Sequence, residues 1–116
     1  MKMEDVISFI YNEKISGNEI FNLELPSLVE VSSKWNGGSH LMDLIVNKIE
    51  EEYREKLNII RIDLETHIEL FSHLGISKAP AFLIINKGNI IEIIKETVSK
   101  KSLEKILNKV LSVSQY

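Results

Sequence analysis

The C-terminal half of the chain contains the pattern that most constrains the fold. Five consecutive apolar residues, Ala81 to Ile85, are followed by a turn-forming segment at 86–89 and then by a second β-branched run, Ile90 to Ile94. A short continuous apolar run bounded by a turn predicts a strand. Gly88 supplies the positive φ that a tight turn requires. The sequence therefore predicts a β-hairpin over 81–94.

Strand and helix patterns alternate before this hairpin. The apolar and β-branched residues of 28–32 and 57–64 predict two more strands. Amphipathic segments predict a helix from near Asn36 to Tyr53, a short helix over 66–74 and a last helix that reaches Leu111. A parallel crossover unit followed by a hairpin predicts an α/β fold, with a mixed sheet of about four to five strands and helices on both faces.

Each predicted helix has an expected apolar face. The buried face of the first helix is predicted to contain Leu41, Leu44, Ile45 and Ile49. In the second, Thr66 is the expected N-cap and Gly75 the stop signal, with three residues facing inwards: Ile68, Phe71 and Leu74. Ser99 or Ser102 is expected to cap the last helix, whose apolar face comprises Leu103, Ile106, Leu107, Val110 and Leu111.

The first 25 residues give a weaker pattern. An early apolar cluster fits either a strand or one face of a helix: Val6, Ile7, Phe9 and Ile10. Ser16, Gly17 and Asn18 then open a short helix or a loop, and Pro26 closes the segment.

Composition excludes several classes of protein. The 116 residues are expected to form a single domain, 1–116, and the formal net charge of −3 comes without a dense Lys/Arg cluster, which argues against a nucleic-acid partner. The longest apolar run is far shorter than a membrane span, so no membrane association is expected. Two acidic residues near the N-terminus argue against a signal peptide, and a cytoplasmic location is therefore expected. Nothing in the sequence indicates the oligomeric state.

The segment Trp35-Asn36-Gly37-Gly38-Ser39 joins a predicted strand to a predicted helix. Together with Ile76 to Pro80 before the hairpin and Phe82 to Gly88 within it, this segment resembles the thioredoxin family, most clearly over 28–111. The resemblance implies a thioredoxin-like fold and a cis bond before Pro80. It does not by itself imply activity.

The same resemblance shows what the chain lacks. The family's two reactive cysteines correspond to Asn36 and Ser39, and the chain contains no cysteine. The family's buried aspartate corresponds to Glu30, and the threonine after its cis-proline corresponds to Ala81. Because thiol–disulfide exchange requires a thiolate, we expect no such activity from the protein alone, and enzymatic activity of any kind is doubtful.

The residues at this site allow structural and functional interpretations. Asn36 and Ser39 are good N-caps that accept from free backbone N–H groups at the helix start, whereas Ser39 could instead orient bound glutathione. Gly37 and Gly38 are best explained as a flexible turn, and the alternative is that their backbone binds a phosphate. Trp35 either packs on the loop or serves as a contact anchor.

Pro80 and Glu30 also allow more than one interpretation. Pro80 either only shapes its turn or, with Ala79, offers backbone groups to an extended peptide, as the family resemblance implies. Glu30 is either buried with a raised pKa or lies near a crevice. His67 and His73 are not on one helical face and do not indicate a metal site.

These observations predict a redox-inactive protein that binds a protein or peptide partner without a cofactor or metal. The expected binding residues belong to the degenerate active-site loop and the proline loop: Trp35, Asn36, Gly37, Gly38, Ser39, Ala79 and Pro80. A glutathione-dependent transferase or reductase, and a purely structural domain with a vestigial site, are the alternatives.

Overall fold

The computed structural model describes the backbone of residues 3–15 and 24–114, with side chains for 5–12 and 24–112. The described elements follow one another as α1 (Met3–Ile15), β1 (Ser27–Ser32), α2 (Gly37–Glu52), β2 (Asn58–Asp63), α3 (Ile68–Ser72), β3 (Ala81–Asn86), β4 (Asn89–Ile94) and α4 (Lys100–Ser114). Every strand and helix predicted after residue 25 is present, with bounds that differ by a few residues.

The strands form one mixed sheet with the order β2-β1-β3-β4. β1 pairs in parallel with β2 and antiparallel with β3, so that Val29 lies between Ile60 and Leu83. β3 and β4 form the predicted hairpin, and both central turn residues have positive φ: 53° at Lys87 and 78° at Gly88. Positive φ at both positions gives the turn a twist that matches its strands.

Helices cover both faces of this sheet, as predicted. On one face the buried side chains of α1 and α3 pack against alternate strand residues such as Val29 and Val31. On the other, α2 and α4 pack against residues of the opposite parity, such as Leu28 and Phe82. Because successive side chains along each strand point to opposite faces, the strands contribute to two separate apolar clusters. The site loops lie where β1 ends and β3 begins.

The predicted buried face of α2 was wrong at two of its four positions. Leu41 and Leu44 are 55% and 61% exposed, and the buried residues of the helix are Ser39, Met42, Val46 and Ile49. The physical reason is the inward position of Ser39, whose hydroxyl accepts a hydrogen bond from the Ser33 backbone N–H. A polar residue at the start of the buried stripe turns Leu41 and Leu44 towards solvent.

The prediction for α3 also needs correction. Its N-cap is His67 rather than Thr66, and Ile68 is 62% exposed rather than inward-facing. Thr66 is held outside the helix, because its N–H donates to the Asp63 carboxylate and its hydroxyl donates to the Asp63 carbonyl. Phe71 and Leu74 are buried as predicted, and Gly75 follows them with φ 72°.

The structure decides between two pairs of alternatives that the sequence left open, one near each end of the chain. The early apolar cluster belongs to a helix, α1, which buries Val6, Ile7 and Ile10 and leaves Phe9 38% exposed. At α4, the Ser99 hydroxyl accepts the Ser102 N–H, so that Ser99 is the cap. The segment 16–18 lies outside the described residues.

No helix in the described ranges combines the length and apolar character needed to cross a bilayer.

Candidate functional site

The loop between β1 and α2 is held by Ser33. The Ser33 N–H donates to the Ser39 hydroxyl at 3.1 Å, and the Ser33 hydroxyl accepts the Trp35 N–H at 3.2 Å. The same hydroxyl donates to the Glu65 carboxylate, which tethers the loop to the segment after β2. This network fixes the backbone beneath Trp35, while the indole itself is 85% exposed.

Asn36 begins helix α2 as its N-cap, as predicted. With φ −121° and ψ 118°, it places its side-chain oxygen 3.0 Å from the Ser39 backbone nitrogen and accepts that N–H. Its carbonyl also accepts the Ser39 and His40 N–H groups. Ser39 was predicted to accept an N–H group of the helix start, and this was wrong. Its hydroxyl accepts the Ser33 N–H of the loop instead.

Replacing Asn36 with alanine is expected to lower the free energy of unfolding by about 1 kcal/mol, because the Ser39 N–H loses its side-chain acceptor and keeps only the backbone carbonyl of residue 36. Asn36→Asp retains an acceptor and is the matched control. Urea unfolding of the three proteins measures the difference. Equal stability of Asn36→Ala and the wild type would show that the cap contributes nothing.

Gly38 and the proline loop approach each other closely. A Cβ on Gly38 would lie 2.9 Å from the Asn36 side-chain oxygen, 3.2 Å from Thr97 Cγ2 and 3.4 Å from Pro80 Cδ. A Cβ on Gly37 would meet no atom within 4 Å. The Ala79–Pro80 peptide bond is cis, and Pro80 is buried. Gly38 is therefore the position at which the helix start contacts the proline loop.

A groove of about 440 Å³ lies beside these loops, and we call it the Trp35 groove. The β1–α2 loop contributes Ser33, Trp35 and Asn36. The segment after β2 and helix α3 contribute Leu64, Glu65, Ile68 and Ser72. The loop before β3 contributes Ile76, Ser77, Lys78 and Ala79.

Three of the seven predicted binding residues line the Trp35 groove: Trp35, Asn36 and Ala79. The other four lie outside its lining: Gly37, Gly38, Ser39 and Pro80. Ser39 and Pro80 are both buried, and Pro80 Cδ would lie 3.4 Å from a Cβ on Gly38.

Sequence reasoning missed Glu65, Ile68 and Lys78 as groove residues. Ile68 was assigned to the core on helical spacing alone. The Asp63-x-x-Thr66 arrangement is typical of a turn closed by an aspartate side chain. This pattern could have led to a prediction in which the helix begins after Thr66 and Ile68 is exposed.

Glu30 is a buried carboxyl on the α2 side of the sheet, and only 1% of it is exposed. Burial raises its pKa to about 8, the Asp43 carboxyl adds to the rise, and Arg61 partly opposes it. Arg61 Nε donates to Glu30 Oε1 at 3.1 Å, whereas Oε2 receives no hydrogen bond from the described residues. With a pKa of about 8, Glu30 is mostly protonated and uncharged near pH 7.

Glu30 does not line the Trp35 groove. Among the side chains that the structure describes, no group of three or more His, Asp or Glu residues could hold a metal ion.

Comparison with known proteins agrees with this architecture. The family model for Thioredoxin matches residues 10–109. The chain belongs to the thioredoxin family.

Its relatives include thioredoxins of red algae and bacteria. The thioredoxin of Porphyra purpurea is 29% identical over 94 residues, which are 81% of this chain and 88% of the relative. The thioredoxin of Bacillus subtilis is 24% identical over 82 residues, which are 71% of this chain and 79% of the relative. A solved structure titled "Structure of a malarial protein" superposes with a TM-score of 0.68 at 14% identity, covering 73% of this chain and 96% of its own.

The chain is thus a thioredoxin-family member without cysteine, in which Asn36 and Ser39 have structural hydrogen bonds instead of thiol chemistry.

Proposed function

We propose that this protein is a redox-inactive binding module that takes up an extended segment of a protein partner in the Trp35 groove. The observation that carries the proposal is the 85% exposed indole of Trp35 above a backbone held by three hydrogen bonds around Ser33. Large aromatic side chains are preferred anchors at protein interfaces. Because the backbone of this loop is already held, covering Trp35 costs mainly the rotamer freedom of the indole itself.

The size and lining of the groove support the same function. A volume of about 440 Å³ is within the range of sites that accept a ligand or a few side chains. Leu64, Ile76 and Ala79 supply an apolar surface, and each is itself mostly buried. Because these contacts need no thiol, recognition can persist in a chain without cysteine.

A glutathione-dependent function and a nucleic-acid partner receive less support. A glutathione-dependent reaction at Ser39 needs a hydroxyl that a ligand can reach, but Ser39 is fully buried and bonded to the loop. A nucleic-acid partner is disfavoured by the net charge of −3. We therefore propose a protein or peptide partner.

A peptide selection tests the proposal. Random twelve-residue peptides displayed on phage are selected on the full chain, and the affinity of synthetic copies is measured by the fluorescence of Trp35, the only tryptophan. We expect selected peptides to shift its emission to the blue. Affinities for Trp35→Ala, measured by anisotropy of labelled peptides, should be about tenfold lower, which corresponds to about 1.4 kcal/mol.

Leu44→Ala is the matched control, because Leu44 is also exposed and apolar but does not line the groove. It should leave the affinity unchanged. Absence of selected peptides, or equal loss in Trp35→Ala and Leu44→Ala, would contradict the proposed function.

A further inference from the structure

We propose that two copies of this chain associate through a second groove, between β4 and α4, an inference that goes beyond the proposed function. This β4–α4 groove has a volume of about 390 Å³, and six residues line it: Asn86, Ile91, Glu92, Ile106, Lys109 and Val110. It shares no lining residue with the Trp35 groove, so a dimer formed here carries two Trp35 grooves.

A β-bulge in β4 shapes the strand side of this groove. The pairing of β3 with β4 shifts register between Ile84 and Ile85, and Ile91 is left without a partner in β3. In a regular strand, successive side chains point to opposite faces. Because of the extra residue, the consecutive side chains of Ile91 and Glu92 instead line the same groove.

The bulge also determines how a second copy can approach. Within the described sheet, β4 is an edge strand, and a bulge on an edge disrupts the regular row of backbone groups that another strand would need. We therefore assign the contact to the side chains of the groove and not to an added strand. Its apolar part comprises Ile91, which is 45% exposed, and the half-buried Ile106 and Val110 of α4.

The charges of the groove are self-complementary. Glu92 lies on its strand side and Lys109 on its helix side, and both side chains are exposed. Neither forms an ion pair with any described residue, including the other. In a two-fold symmetric interface every contact between different residues occurs twice. This one pair of opposite charges can therefore form two ion pairs between two copies.

Only one two-fold arrangement of the grooves matches these charges. With the symmetry axis along the groove, β4 of each copy faces α4 of the other, and Glu92 faces Lys109. With the axis across the groove, β4 faces β4 and the two Glu92 carboxylates approach each other, which is unfavourable. We assign the first arrangement, in which Ile91 of each copy packs on Ile106 and Val110 of the other and is removed from water.

Sedimentation equilibrium of the full chain tests the proposal. Because the groove is small, we expect weak association, with the average mass rising towards twice the monomer mass between about 10 µM and 1 mM protein. Ile91→Ser should raise the dissociation constant about five- to tenfold at any ionic strength, since it removes apolar contact. Circular dichroism of each variant checks folding.

Charge reversal tests the arrangement of the two copies. Glu92→Lys and Lys109→Glu should each raise the dissociation constant about tenfold at low salt, because each variant brings like charges together twice. The effect should shrink as salt is added. Glu51→Lys makes the same change in net charge on the exposed surface of α2, outside the groove, and is the control that should leave the constant nearly unchanged.

Mixing the two charge-reversal variants gives the sharpest result. The groove of Glu92→Lys then carries two positive groups and that of Lys109→Glu two negative groups, so a mixed dimer has two complementary pairs. We expect the equimolar mixture to associate at least as tightly as the wild type, although each variant alone does not. A wild type that stays monomeric at about 1 mM, or a mixture that associates no more than either variant alone, would overturn the proposal.

Discussion

Glu30→Gln is expected to make the protein more stable than the wild type at about pH 8 and to have little effect at about pH 5. Glutamine has the shape of the protonated side chain and stays neutral at every pH. In the wild type, the folded state has to accept a buried charge as Glu30 loses its proton. The variant avoids that cost.

The direction of the pH dependence follows from the two states of Glu30. In the folded protein its pKa is about 8, whereas in the unfolded chain it returns to about 4.5. Between these values the folded state binds more protons, so wild-type stability falls as the pH rises, by about 1.4 kcal/mol per pH unit. From about pH 5 to pH 8 the loss is on the order of 4 kcal/mol, which is a large part of a typical domain's stability.

No other shifted group of the described residues titrates in that window. The pKa of Tyr53 is raised from 10.0, mainly by burial, and that of Lys100 is raised from 10.5 by hydrogen bonds to Glu52 and Glu104. Both lie well above pH 8. The predicted slope therefore belongs to Glu30.

Urea unfolding of the wild type and Glu30→Gln at half-unit steps of pH measures the effect. Glu92→Gln, which removes an exposed carboxyl on β4, is the control and should follow the wild-type curve. A ¹³C NMR titration of the Glu30 carboxyl reports its pKa directly. Parallel stability curves for Glu30→Gln and the wild type, or a carboxyl that titrates near 4.5, would refute the argument.

The sheet was predictable because its signals are local. The apolar run of β3, the turn at Lys87 and Gly88, and the β-branched run of β4 each agree with the structure. The orientation of the helices was less predictable. α2 contains more apolar residues than its buried stripe can accept, and the stripe is set by the contact between Ser39 and Ser33, which helical spacing does not reveal.

The candidate site was predictable only in part for a similar reason. Trp35 and Asn36 were predicted because their loop, between a predicted strand and a predicted helix, resembles the active-site loop of the thioredoxin family. Ile68 and Lys78 join them only through the fold, because the loop before β3 and the start of α3 meet beside the end of β1. Such convergence of distant segments has no local sequence signal.

The two glycines at the start of α2 are expected to respond oppositely to alanine. Gly37→Ala should be neutral or stabilising by up to about 1 kcal/mol, because alanine favours the helix and its Cβ would meet no atom within 4 Å. Gly38→Ala gains the same helix preference. Its Cβ, however, would lie 2.9 Å from the Asn36 oxygen and 3.2 Å from Thr97 Cγ2.

We therefore expect Gly38→Ala to be less stable than Gly37→Ala by about 1–2 kcal/mol, since the Asn36 cap has to move and the neighbouring loop is crowded. Urea unfolding of both variants measures this difference, in which the shared helix preference cancels. Equal stabilities would contradict the close approach at Gly38.

A double-mutant cycle identifies the atom responsible. In an Asn36→Ala background the crowded oxygen is absent and the cap is already lost, so the penalty of Gly38→Ala should fall to well under half. A penalty that persists there would instead place the strain at Thr97 and Pro80. Because both substitutions lie at the start of α2, the cycle measures the coupling between the Asn36 cap and position 38.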